Sequence, residues 1–348
     1  MCSLYKYKYI LLAALLCLFS CVAERKPDNA FTPDLLGEAE DSIGYSLFVD
    51  SIRYIPLETT DECLIGKIKD VYIGRERVFV LDGKTQTIWM FDRKGHYLNK
   101  LSRRGKGPGE YTNMQQFEVD EKNRQFILLD IWTNKLLFYD WEGRFLKDIR
   151  LEVTAMDFKL LPSGGFVVSQ EGYDKETAGV YLADGSGKTI RQLVGRNKHS
   201  SVYYELDWEL CSVAGEVAFM APIFENDVYH FDGQELSCPY TFDMQPALKH
   251  YYGKDASFRD LEDFVRTQYI ETDHWIYAAY WSAVHDLRYF LFSKREQKYR
   301  IGKKLVNDVD GKPVGGRTSA TVGNAFTFWY MLEGMEDANP VLQVMHLK

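Results

Sequence analysis

Positive charge is in short supply in this 348-residue chain, where 42 Lys and Arg stand against 50 Asp and Glu and leave a formal charge of −8. That balance excludes sequence-independent nucleic-acid binding, which needs many cations facing phosphates. Cysteine is scarce too, six in all with no C-x-x-C pair, so thiol exchange and a zinc knuckle have no basis in the sequence. The seven histidines, at 96, 199, 230, 250, 274, 285 and 346, are never four residues apart, so no helix face offers two imidazole ligands. A G-x-S-x-G nucleophile elbow is also missing. Neither a metal nor a cofactor is expected. The apolar stretch "ILLAALLCLFS" from Ile10 is too short to span a bilayer comfortably.

What is present leans to strands. Hydrophobic residues make up 46% of the chain and aromatics 15%, with 23 Tyr and 21 Phe, the side chains that suit a pleated surface. At the N-terminus, Lys6 and Lys8 followed by the apolar stretch read as an export signal over residues 1–21. Its end, Leu18 to Cys21, resembles a bacterial lipobox, although Phe19 departs from the usual small residue. That resemblance implies lipidation at Cys21 and a polar tether over 22–44. Val22, where many bacteria have the Asp that retains a lipoprotein in the inner membrane, points to an outer-membrane lipoprotein, facing the periplasm or exposed at the surface. Cys63, Cys211 and Cys238 then remain for the folded part; an odd number cannot all pair internally, and a Cys211–Cys238 bridge is one possibility.

A repeat runs through the rest. "RVFVLDGKTQTIWMFDRKGHYLNKL" (77–101) aligns with "QFILLDIWTNKLLFYDWEGRFLKDI" (125–149), and Asp82 and Asp130, Asp92 and Asp140, Gly95 and Gly143, Leu98 and Leu146 are each 48 residues apart. Each unit reads as an apolar strand ending in Asp, a loop, a second apolar strand ending in Asp, a Gly turn and an alternating strand. A third unit puts Asp184 and Gly187 in register, so Gly-Ser-Gly-Lys-Thr (185–189) falls in a hairpin turn. With Leu182 where a phosphate loop needs its first glycine, and no helix pattern behind it, that pentapeptide is read as a turn. Fourth, fifth and sixth units follow, for six units of roughly 45 residues, a period of propeller blades. The alternating stretch over 45–58 is placed to give the last blade a missing strand and close the ring. "PALKHYYG" (246–253) and "SFRDLEDFVRTQYIE" (257–271) read as helical, an insertion between blades four and five.

"RRGKGPGEYTNMQQFEVDEKNRQFILLDIWTNKLLFYD" (103–140) resembles the NHL-type propeller repeat through Gly105, Gly107, Pro108, Gly109, Glu110, Tyr111, Asp120, Asp130 and Asp140, while Met114 stands near the family's usual Pro. With "IRYIPLETTDECLIGKI" (52–68) and the lipobox, the chain resembles the six-bladed β-propeller lipoproteins of Bacteroidetes. The fold expected is therefore all-β, a six-bladed β-propeller over 45–348 with a short helical insertion. Propellers of this type serve as protein-binding and ligand-binding discs, with occasional lyases and esterases, so the fold does not decide the function.

Repetition argues that Asp82, Asp92, Asp130 and Asp140 are structural, because a catalytic pair is needed once and a turn-forming Asp in every blade. Residues unique to the loops between second and third strands, and to the connections between blades, are the ones placed to meet a ligand. These are Arg104 and Lys106 (with Arg103), Trp132 (with Asn134), Tyr173, Glu225 (with Asn226), Trp281 and His285 (with Tyr280), and Arg317. Rings beside Arg, Glu and Asn suit a sugar face or a peptide. The expected function is a membrane-anchored, non-enzymatic module binding a protein or glycan partner, with no nucleic acid. The alternative is a lyase or hydrolase acting on carbohydrate or another small substrate at the channel mouth.

Overall fold

A computed structural model describes residues 30–31, 33–35, 37–170, 178–195, 210–220, 227–242, 265–282, 286–315, 317–320, 324–331 and 338–348. Strands dominate, and among the described residues the helical content is one 3-10 turn, Tyr45–Leu47. Three short N-terminal strands come first: β1 (Ala30–Phe31), β2 (Ile43–Gly44) and β3 (Val49–Pro56). Blade 1 is β4 (Ile68–Ile73), β5 (Arg77–Asp82), β6 (Thr87–Asp92) and β7 (Tyr97–Leu101); blade 2 is β8 (Met114–Asp120), β9 (Gln125–Asp130), β10 (Lys135–Asp140) and β11 (Phe145–Arg150). Blade 3 follows as β12 (Ala155–Leu160), β13 (Phe166–Gln170), β14 (Gly179–Ala183) and β15 (Thr189–Gly195). Blade 4 is β16 (Leu210–Val213), β17 (Glu216–Met220), β18 (Asp227–Phe231) and β19 (Leu236–Phe242), and blade 5 is β20 (Val265–Glu271), β21 (Trp275–Trp281), β22 (Leu287–Ser293) and β23 (Lys298–Gly302). After β24 (Leu305–Val306), blade 6 has β25 (Arg317–Ala320), β26 (Ala325–Tyr330) and β27 (Val341–Leu347), and takes β3 as its fourth strand.

The innermost strands β4, β8, β12, β16, β20 and β25 touch one another in that order and back to β4, which closes the ring. Six apolar cores, one in each gap between neighbouring blades, follow the same circle. This explains the sequence pattern. A middle strand such as β5 or β9 is covered by a blade on each side and is buried at five successive positions, whereas outer strands such as β7 alternate toward solvent. Each Leu, Ile or Phe hidden there contributes about 1.5–3 kcal/mol. A single blade has no second sheet to cover its faces and needs its neighbours to hide them.

Ring closure works as the alternating N-terminal stretch suggested. β3 pairs antiparallel with β27, Pro56 opposite Val341 and Ser51 opposite His346, so the two ends of the propeller are hydrogen-bonded in one blade. Part of the stretch before it also packs on the disc. β1 lies parallel on β19, Glu40 bridges Gly302 at the edge of β23, and β2 pairs with β24. Leu35 enters the core between blades 4 and 5, and its carbonyl accepts the Tyr280 hydroxyl at 3.0 Å and Arg288 Nη1 at 3.0 Å. The outer edges of blades 4 and 5 are thereby covered in part, at Thr241–Phe242 and at Gly302, which shields those ends of the sheets.

Two expectations need correction. The segment read as a helix over 257–271 is a strand from Val265 onward: β20 pairs along its length with β21, Ile270 opposite Tyr277 and Tyr269 opposite Ala278. Aromatic Tyr269 and β-branched Ile270 suit the pleat, and the tertiary pairing outweighed the 3.6-residue spacing. Residues 246–264 lie outside the described residues. No disulfide joins Cys211 to Cys238, because they stand on the first and fourth strands of blade 4 with two strands between them, well beyond bridging distance.

Candidate functional site

The loops joining second to third strands and the connections between blades share one side of the disc, here the upper face. Over blades 1 and 2 that face is a single hydrogen-bonded platform. The buried Asp82 carboxylate accepts the amides of Gly66 (2.7 Å), Lys67 (3.0 Å), Lys84 (2.9 Å) and Thr85 (3.2 Å), and the Thr85 hydroxyl at 2.7 Å. Burial alone would raise its pKa, but these donors hold it below the ordinary value. Its partner in the repeat, Asp130, accepts the amides of Thr112 (2.8 Å), Asn113 (3.1 Å) and Trp132 (3.3 Å), with the Thr112 hydroxyl at 2.7 Å. Between them, Gln86 accepts the Tyr111 hydroxyl on its carbonyl and the Met114 amide on its side chain, while Tyr111 accepts the Arg103 amide. The recurrent aspartates are therefore clasps that fix the loops, as their repetition implied.

Asp92, Asp140, Asp184 and Asp232 play a second repeated role on the opposite face, each capping the turn between third and fourth strands. In blade 3 the Asp184 carboxylate takes the amides of Ser186 and Lys188, the Gly187 amide goes to the Asp184 carbonyl, and Thr189 donates to Glu152. Gly-Ser-Gly-Lys-Thr thus has its amides turned inward and makes no phosphate cradle. Gly187 has φ +88°, and a Cβ there would lie 2.3 Å from the Arg150 carbonyl of blade 2. Gly95, at φ +91°, meets Pro56 O of blade 6 in the same way. Glycine is needed for the turn and again for the approach of the preceding blade.

On the platform, Arg104 and Lys106 are exposed in the connection from blade 1 to blade 2, and Trp132 is 68% exposed in the adjoining loop. These three predicted residues come together. Trp132 does not pack between blades. Trp281 ends β21, half-buried, and its backbone pairs with Leu287. Arg317 begins β25, but its side chain, like Tyr173, Glu225 and His285, lies outside what is described. Exposed Lys67, Lys84 and Arg103 join the platform and were not singled out, except Arg103.

Two charged clusters lie elsewhere. On the innermost strands, Lys159 is ion-paired with Glu118, with Asp157 and Asp70 also acting on it; burial would lower its pKa, but the three carboxylates together hold it raised. Burial pushes Glu118 up and takes Asp157 to about 6, although Asp157 accepts the Leu210 and Phe158 amides. A signal for this cluster exists in the sequence, since Asp70 and Glu118 are 48 residues apart. Between blades 4 and 5, Glu271 is wholly buried and receives His230 Nε2 at 2.8 Å, Lys294 Nζ and the Tyr269 hydroxyl, while His230 Nδ1 meets Glu216 at 2.9 Å. Burial opposes charge on His230, but Glu271 and Glu216 raise its pKa; Glu271 is held low by His230 and Lys294 despite its burial. No group of His, Cys, Asp and Glu among the described residues has metal-holding geometry.

Fold and site together define a six-bladed β-propeller with a fixed, cation-bearing loop platform on one face. The family model described as "Domain of unknown function (DUF4934)" matches residues 34–345, and the chain belongs to that family. Among solved structures it is similar to a candidate exported protein from Bacteroides fragilis, at 16% identity and TM-score 0.71, over 92% of this chain and 99% of that one. It is also similar to a DUF4221 family member from Bacteroides vulgatus, at 8% identity and TM-score 0.51, over 86% and 97%. At those identities the likeness is one of fold. No curated protein matches.

Proposed function

We propose that this propeller is a cell-envelope binding module, exported by residues 1–21, held to the membrane through lipid on Cys21, and presenting its upper face to a protein or glycan partner. The observation that carries the reading is the platform over blades 1 and 2, where Trp132 and several cations face solvent on loops that Asp82 and Asp130 hold fixed. A preformed surface loses little entropy on binding, and an exposed ring with flanking charges gives both contact area and orientation. Export fits the basic and apolar N-terminus, and the Bacteroides fragilis protein of the same fold is itself described as a candidate exported protein. Among the described residues no helix is long and apolar enough to cross a membrane.

Two experiments test the reading. Cell fractionation of wild type and Cys21→Ser, with a clickable palmitate to label lipoproteins, should show label and membrane association lost together in the variant. Screening the purified protein on glycan arrays, with cross-linking in cells to capture protein partners, should yield a ligand whose binding is weakened by Trp132→Ala at an unchanged thermal transition; a ligand indifferent to every platform residue would sink the surface assignment. One observation favours a catalytic alternative at the channel: Asp157, with a pKa near 6, sits on an innermost strand beside Lys159 and Glu118. A lyase or hydrolase reading requires turnover of a carbohydrate that Asp157→Asn abolishes, and a substrate bound but never cleaved would remove it.

A further inference from the structure

We infer that the platform over blades 1 and 2 takes an anionic polysaccharide, one whose sugar rings carry carboxylate or sulfate groups. The inference rests on the binding reading above and narrows its ligand. Lys67, Lys84, Arg103, Arg104 and Lys106 are all exposed, and none of them makes an ion pair among the described residues. Some cations elsewhere are answered by carboxylates, Arg77 by Glu142, Arg124 by Glu76, Arg288 by Asp286 and Arg300 by Glu40, whereas the platform gathers five that are not. Within residues 102–114 the single carboxylate is Glu110, and it accepts the Gly107 amide at 2.8 Å. In a chain of net charge −8, the segments 66–67, 82–86, 102–114 and 130–134 hold five Lys and Arg against Asp82, Glu110 and Asp130, a local excess of positive charge.

The spacing of those cations decides the ligand's size. They are spread over the entry to blade 1, its second loop and the connection to blade 2, so a ligand that meets them all carries repeated negative groups. Backbone geometry decides its class. Gly105, Gly107, Glu110, Tyr111, Thr112, Asn113 and Met114 donate their amides within the platform, as do Lys84, Thr85 and Trp132. An extended peptide pairing by its main chain would find these donors already taken. Recognition is left to side chains: guanidinium forks for carboxylate or sulfate, and the Trp132 ring for the apolar face of a sugar.

Isothermal titration of the purified protein against polygalacturonate, dextran sulfate, uncharged dextran and poly-glutamate tests this. Expected are binding of polygalacturonate, dextran sulfate or both, none to dextran, and at least tenfold weaker binding of poly-glutamate; the stronger polyanion tells carboxylate from sulfate recognition. Raising NaCl from about 50 to 500 mM should weaken the polyanion at least about tenfold. So should the triple change Arg103→Ala, Arg104→Ala, Lys106→Ala, and Trp132→Ala should cost about tenfold, each at an unchanged thermal transition. Dextran bound as tightly as dextran sulfate would overturn the anionic assignment and leave the binding module standing. Poly-glutamate bound equally well, with Trp132→Ala silent, would overturn the sugar assignment. Failure of both polyanions would overturn the inference, while the binding module itself falls only if arrays and cross-linking are blank as well.

Discussion

Over blades 1 and 2 the loops are fastened by Asp82 and Asp130, carboxylates at equivalent positions that take backbone amides, and Gln86 joins the two sets through Tyr111 and Met114. Between blades 4 and 5 the fastening is done by Glu271, His230 and Lys294, charged side chains that occur once and bond one another. The choice has a consequence for the surface. A carboxylate that clasps backbone leaves the neighbouring Lys and Arg with no anion, so Arg103, Arg104 and Lys106 remain available to a ligand. One that clasps cations consumes them: in the gap between blades 4 and 5, Lys294 is only 10% and Glu271 0% exposed at the side chain. The N-terminal strand β1 and Glu40 add to that half by covering part of its outer edges.

The comparison can be broken most severely at Glu271. Glu271→Ala leaves His230 and Lys294 buried without their shared anion and should cost about 3–5 kcal/mol, read as a large fall in the urea midpoint. A loss below about 1 kcal/mol would mean the charged node does not fasten blades 4 and 5. Asp130→Ala should cost about 3 kcal/mol, because several amides and the Thr112 hydroxyl lose one acceptor, and hydrogen exchange should accelerate over residues 112–114 and 131–134 rather than across the disc. If Asp130 were instead a ligand group, its removal would spare stability.

The glycine turns sharpen the contrast at smaller scale. Gly187→Ala, forced both to φ +88° and into the Arg150 carbonyl, should cost about 2–3 kcal/mol, whereas Gly215→Ala, at φ +87° with nothing within 4 Å, should cost only about 1 kcal/mol. Equal costs would show that the approach of the preceding blade is not tight. Smallest is the pH effect. The folded pKa of His230 is raised above its ordinary 6.5, so its contribution is complete below 6.5 and disappears as pH rises through the folded value; Glu271, lowered from 4.5, contributes above 4.5 and loses that as pH falls. Thermal transitions measured against pH should therefore decline on the alkaline side of 6.5, and His230→Gln should flatten that decline. A wild-type curve already flat there would contradict the ion pairing.

Much of the disc could be read from letters alone, because a repeated job leaves a repeated residue. Asp82 and Asp130, Gly95 and Gly143, and the alternating stretch that became β3 all announced their roles by register or periodicity. The node of His230, Glu271 and Lys294 announced nothing, since each member is unique and its bonded partner is up to 41 residues away in the chain. Val265 to Glu271 misled because its apolar residues fall at both helical and strand spacing, and only the partner strand β21 decides between them. Of the predicted ligand residues, Arg104, Lys106 and Trp132 fell on one surface because loops that follow the Asp clasps are fixed by them. Lys67 and Lys84 escaped notice because nothing in the sequence says that the entry to blade 1 lies beside the loop after Asp82.

Hydrogen–deuterium exchange with and without dextran sulfate asks most directly whether the half clasped through backbone is the half that binds. The account predicts slowed exchange confined to residues 66–67, 83–86, 103–113 and 131–134. Protection centred on blades 4 and 5, with those four segments unchanged, would contradict it.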